Sequence, residues 1–180
     1  MPPRVVGKID SIRFREPVPL AEDARRKLLV RLDPSLRGQA ISFSPPNRLT
    51  PAAAVKDGAA LMAENPWWFV PEQDRLELSG TRGNLYVRWT PKEPGVPHLV
   101  TFTVTGRGAD PIVYSFAHGP EVAPLEGFMQ QGTQENILGV GRQTLGIVVT
   151  PGNQPWGVLL RTKTANAIWR LHFAEVTVVK

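Results

Sequence analysis

Apolar and polar residues alternate with a period of two along most of the chain beyond residue 67, and the clearest run closes it. Over residues 168–179, Trp169, Leu171 and Phe173 fall on one side while Arg170 and His172 fall on the other. That is the pattern of a strand half-buried against a core. Past Phe173 the phase slips: Glu175 and Thr177 continue the Trp169 side, yet Val176 and Val178 are the core-like residues. A β-bulge near Ala174 accounts for the slip.

The same alternation marks further strands. Leu76 and Leu78 define one, Leu85, Val87 and Trp89 a second, Val100, Phe102 and Val104 a third, and Leu145, Ile147 and Val149 a fourth. A penultimate strand spans 156–162. The glycine- and proline-containing turn at 106–111 predicts a hairpin that returns the chain into a strand over 112–117. Upstream, 5–14 reads as an edge strand ended by the prolines at 17 and 19, and 40–44 as a short strand. Residues 21–31 fit either a helix or a strand, with strand favoured over 27–32 because Leu28, Val30 and Leu32 alternate with Leu29 and Arg31. One short helix is expected at 51–64, with Thr50 as N-cap, Pro51 at the first helical position and an alanine-rich run behind them.

Short strands punctuated by 18 prolines and 16 glycines predict a mainly β fold, an antiparallel β-sandwich or jelly roll, with a closed β-barrel as the alternative. The 180 residues suit a single domain. The segment 118–136 is longer than an ordinary hairpin loop, and loops of that length are often functional.

Charge adds one feature. Residues 1–50 hold ten basic side chains against five acids, so the whole net charge of +5 lies in this basic N-terminal region. Such a segment suits an anionic membrane surface or an acidic partner. Nucleic acid is not the expected partner, because Phe14 and Phe43 are the segment's only aromatic residues. No stretch resembles a secretory signal or a membrane-spanning helix, and compartment stays open.

Candidate chemistry is sparse. The absence of cysteine removes disulfides, thiolate metal sites and cysteine nucleophiles. His98, His118 and His172 are far apart and lack metal-ligand spacing, so no metal or cofactor is expected. No nucleophile elbow or phosphate loop occurs. The carboxylates, among them Glu77, Glu135 and Glu175, read as turn, loop or solvent-side residues. No catalytic constellation emerges, and the reading leans away from an enzyme.

The tryptophans carry the functional expectation. Trp156 follows Asn153 and Gln154, a flat ring beside amides at a loop end, which suits a sugar held by stacking and hydrogen bonds; the same position also suits a core plug. Trp67 and Trp68 are adjacent, so on a strand they face opposite ways and both cannot enter the same core layer; one is buried, and the other is exposed, held at an interface or covered by the helix before it, the covered or buried outcome being favoured. The expected function is therefore a non-catalytic binding module for a carbohydrate or another polar ligand, with Trp156, Asn153, Gln154, Trp68 and Trp67 as candidate site residues. The alternatives are a structural or interaction subunit that meets a protein partner, or a protein that binds anionic membranes through its basic region and an exposed tryptophan.

Overall fold

The protein is described by a computed structural model covering residues 22–64, 67–120 and 135–180. Two antiparallel sheets face each other across one apolar core, and neither closes into a barrel. The expected strand at 5–14 and most of the 118–136 segment lie outside the described residues.

The first sheet is ordered β10 (Arg142–Val149), β7 (His98–Gly108), β12 (Ala167–Val178), β5 (Arg75–Ser79) and β4 (Trp68–Val70), with β1 (Asn47–Leu49) paired to the later part of β12. The second is ordered β2 (Val55–Lys56), β3 (Ala59–Ala63), β6 (Gly83–Trp89), β11 (Trp156–Thr162), β8 (Val113–Pro120) and β9 (Asn136–Ile137). Inward rows from both sheets make the core, including Trp169, Phe102, Leu85, Val87 and Leu160.

The closing strand contains the anticipated irregularity. Leu171 pairs with Val104 and Phe173 with Thr103, which leaves His172 as an extra residue. Side chains before the bulge, Trp169 and Leu171, and after it, Ala174 and Val176, all enter the core. Phe173, Glu175 and Thr177 turn to the opposite face, where they are nonetheless buried. Glu175 is therefore a buried residue, contrary to its expected solvent-side position.

What covers that face is α1 (Glu22–Leu32). The stretch over 27–32, expected to be a strand, is helical: Arg25, Leu28 and Leu29 share one buried helical face, a spacing of three and four that outweighs the local alternation. Leu28 and Leu29 pack with Leu99, Ile41 and Val179 in a second apolar cluster. Within this layer Arg25 Nη2 lies 3.2 Å from Glu175 Oε1, both side chains at most 5% exposed, and Arg48 Nε lies 3.4 Å from Glu175 Oε2.

The helix expected at 51–64 is absent, and a tight hairpin occupies it. Val55 pairs with Ala60 and Lys56 with Ala59, and the intervening Asp57 (φ 49°) and Gly58 (φ 79°) are both left-handed. An Asp-Gly pair between two strands is the residue signature of such a turn. Thr50 does accept the Ala53 N–H at 3.0 Å, so its capping geometry forms, but only one turn follows. The hairpin expected across 106–111 is also corrected: β7 and β8 lie in different sheets, and their inward rings Phe102 and Phe116 meet at 6.0 Å. From β5 onward nearly every connection crosses the core, so alternation identifies the strands without identifying their partners. The expected strand at 40–44 reduces to a bridge from Phe43 to Val179.

Removing Glu175 takes a carboxylate away from the buried Arg25 guanidinium. Glu175→Ala is expected to cost about 3–5 kcal/mol in urea denaturation, and the double variant Arg25→Met/Glu175→Leu to recover most of that loss. A single-variant loss under about 1 kcal/mol, the range of exposed pairs, contradicts a buried role for this contact.

Candidate functional site

The five tryptophans separate into distinct settings. Trp169 and Trp89 are core residues, at 0% and 5% exposure. Trp67, at 7%, also joins the core, whereas Trp68 is 44% exposed on the edge strand β4. The neighbouring rings therefore divide between interior and surface, with Phe69 (43%) exposed beside Trp68. Trp156 is half-buried, packs against the core and pairs in register with Trp89 on one side and Pro120 on the other. Asn153 and Gln154 are exposed on the preceding turn.

The sequence-selected residues do not converge. Trp156 opens β11, while Trp67 stands behind Gly83, which pairs with Thr162 at the end of the same strand. Six residues of strand separate those levels, about 20 Å.

At the Trp67 end lies a polar cleft of about 660 Å³, formed where β3 ends, β6 begins, β11 ends and β8 begins. Asn84 donates from Nδ2 to Glu64 Oε2 at 2.7 Å, holding that carboxylate on the rim. Lys163 Nζ meets Glu135 Oε2 at 2.5 Å. Arg161 and Arg82 also line the cleft. The Arg161 Nη2 atom is buried and has no hydrogen-bond partner among the described residues. Thr162 Oγ1 both accepts from the Gly83 N–H (2.8 Å) and donates to the Gly83 carbonyl (2.9 Å), fixing the floor. Gly83 is required by close approach: a Cβ there would stand 2.6 Å from Trp67 Nε1.

Sequence reasoning missed Glu64, Asn84 and Arg161 because they occupy three separate strand ends and share no motif. Their one local signal is polar residues on the outward phase of β6 and β11.

A smaller cleft of about 310 Å³ lies beside Trp89 and His98. His98 donates from Nδ1 to the Val96 carbonyl at 2.7 Å; burial lowers its pKa against the opposing pull of that bond and of Glu93. His118 is lowered by burial as well. His172, at the bulge, lies 2.8 Å from Thr105 Oγ1. Burial and then the positive charges of Arg142, Arg75 and Arg170 push its pKa down to about 4.

No protein-family model matches the chain, and no curated protein sequence matches it. Among solved structures, the chain is similar to the CBM36-1 domain of a multidomain xylanase from the hindgut metagenome of Trinervitermes trinervoides, with TM-score 0.45 and 10% identity over 73% of this chain and 96% of that one. It is similar to a family 35 carbohydrate-binding module from Clostridium thermocellum at TM-score 0.45 and 11% identity, covering 74% and 98%. A family two carbohydrate esterase from Clostridium thermocellum, an active-site mutant, gives TM-score 0.43 and 8% identity over 65% of this chain, which spans 32% of that one. At these values the likeness carries no assignment of ligand.

Two outcomes test this geometry. Gly83→Ala forces the Trp67 ring to move and is expected to cost about 1–3 kcal/mol of stability, the range of overpacked sites, with a shift in tryptophan emission; unchanged stability and emission contradict the close approach. For His172 the folded pKa lies below the unfolded value near 6.5, so the unfolded chain binds the extra proton. Stability from this group is therefore present above about pH 6.5 and lost as pH falls towards 4. Thermal melts of His172→Gln should show a shallower decline across that window than the parent protein, and an equal decline removes His172 as a contributor.

Proposed function

We propose that the protein is a non-catalytic carbohydrate-binding module whose ligand enters the cleft bounded by Glu64, Asn84 and Arg161. The observation that carries this reading is a cleft lined by Arg161 whose rim holds a carboxylate fixed by an amide. A sugar hydroxyl both donates and accepts. A carboxylate that accepts, a guanidinium that donates and an amide that does both therefore complement a polyhydroxylated ligand. The buried Trp67 ring supports the floor rather than offering a stacking face.

The Trp156 turn supplies a second surface of the same class, since Asn153 and Gln154 present free amides beside a half-buried ring. Its amides lie on one flexible-length turn instead of three strand ends, so the cleft is the better organised of the two.

A glycan array followed by calorimetry tests the reading. Neutral oligosaccharides are expected to bind, and Glu64→Gln or Arg161→Ala to weaken them roughly 10- to 100-fold, the loss of one charge-assisted hydrogen bond. Asn153→Ala/Gln154→Ala should leave affinity unchanged. Loss of binding in that double variant alone moves the site to the Trp156 turn, and a flat array overturns the reading.

A further inference from the structure

The outer face of the first sheet carries one continuous row that the cleft does not use. In register across five of the sheet's six strands stand Arg142 on β10, Thr105 on β7, Arg170 on β12, Glu77 on β5 and Trp68 on β4. Their neighbours in sequence, Val104, Trp169, Leu171 and Leu78, point into the core, so the row itself faces outward. At about 4.8 Å between strands the row is about 19 Å long. The Glu77 carboxylate is shared by Arg75 Nη2 at 2.9 Å and Arg170 Nε at 3.2 Å, which leaves positive charge in excess. Arg142 is exposed and has no ion-pair partner among the described residues, and Arg107, also exposed, adjoins the row beside Ile168. The helix α1 covers the sheet around Glu175 and Leu99, and its last residues, Arg31 and Leu32, line a cleft with Gln143 and Thr144 beside the row, while Arg142 itself is exposed.

We infer that this row is a second binding site, for an anionic polysaccharide bearing carboxylate or sulfate groups, with Arg142 and Arg170 taking the acid groups and Trp68 stacking on a sugar ring at the end of the row. Guanidinium groups match carboxylates and sulfates through paired donors, and a half-exposed indole offers an apolar face to a pyranose ring. A single-stranded nucleic acid would need successive aromatics for its bases, and this row has one. The choice of a glycan over other polyanions rests on the carbohydrate reading of the cleft; the charge complementarity does not.

Affinity electrophoresis and calorimetry of the full chain with polygalacturonate and with dextran sulfate provide the test. At least one of these probes is expected to bind, more weakly as salt rises. Arg142→Gln, which breaks no ion pair, and Trp68→Ala should each weaken binding by about tenfold, while neutral-oligosaccharide binding in the cleft stays unchanged. Conversely, Glu64→Gln should weaken the neutral ligand and leave the anionic one alone. A glycan-flat protein that still binds dextran sulfate through Arg142 would refute the cleft reading and keep the row. Failure to bind either anionic probe, binding unaffected by both row variants, or tighter binding to double-stranded DNA or to phosphatidylserine vesicles overturns the proposal.

Discussion

The unpaired insertion of His172 into β12 is the constraint on which the other layers depend. A strand of period two offers each residue type to one face only. Were His172 paired in a regular strand with no bulge, Glu175 and Thr177 would follow Leu171 into the apolar interior, and Ala174 and Val176 would face α1. A carboxylate in that interior would lack a partner, at a cost of several kcal/mol. With the insertion, one strand fills the sandwich with Trp169, Leu171, Ala174 and Val176 and still presents Glu175 to Arg25 and Arg48. The helix is anchored by that contact and by Leu28 and Leu29 against Leu99.

The bulge also sets where binding chemistry can lie. Beyond it, the outer face of the first sheet is covered by the helix; before it, the row from Arg142 to Trp68 is exposed at both ends and partly exposed between them. The guanidinium groups that converge on His172 are the ones that give that row its charge. The second sheet contributes differently: β6 begins where β3 and β11 end, so Asn84 and Arg161 meet Glu64 at the strand ends. Surface row and terminal cleft are thus two consequences of a rigid two-sheet frame, which suits recognition by preorganised groups.

Much of the frame was legible in period-two patterning. The strands around Leu78, Val87, Phe102, Ile147 and Leu160, and the phase slip near Ala174, were all visible because burial on one face imposes alternation. Pairing was not visible: residues 106–111 look like a hairpin turn, yet their flanking strands belong to opposite sheets. The alanine run at 52–54 suggested a helix, while the decisive signal was the Asp57-Gly58 pair, whose left-handed backbone a helix cannot accept. In 22–32 the reverse held, with Arg25 buried on a helical face by an ion pair to a residue 150 positions away. The site was least legible. Tryptophans drew attention as sugar-stacking residues, but packing decided that Trp67 lies within the core and Trp68 outside it, and the cleft residues come together only through the pairing of β6 with β3 and with β11.

The most direct measurement is an NMR titration that follows the five indole N–H signals together with backbone amides. With a neutral oligosaccharide, the Trp67 indole and the amides of Gly83, Asn84 and Thr162 should shift, while those of Asn153 and Gln154 stay in place. Shifts concentrated at Trp156, Asn153 and Gln154, with the Gly83–Thr162 amides unmoved, would contradict the assignment of the cleft.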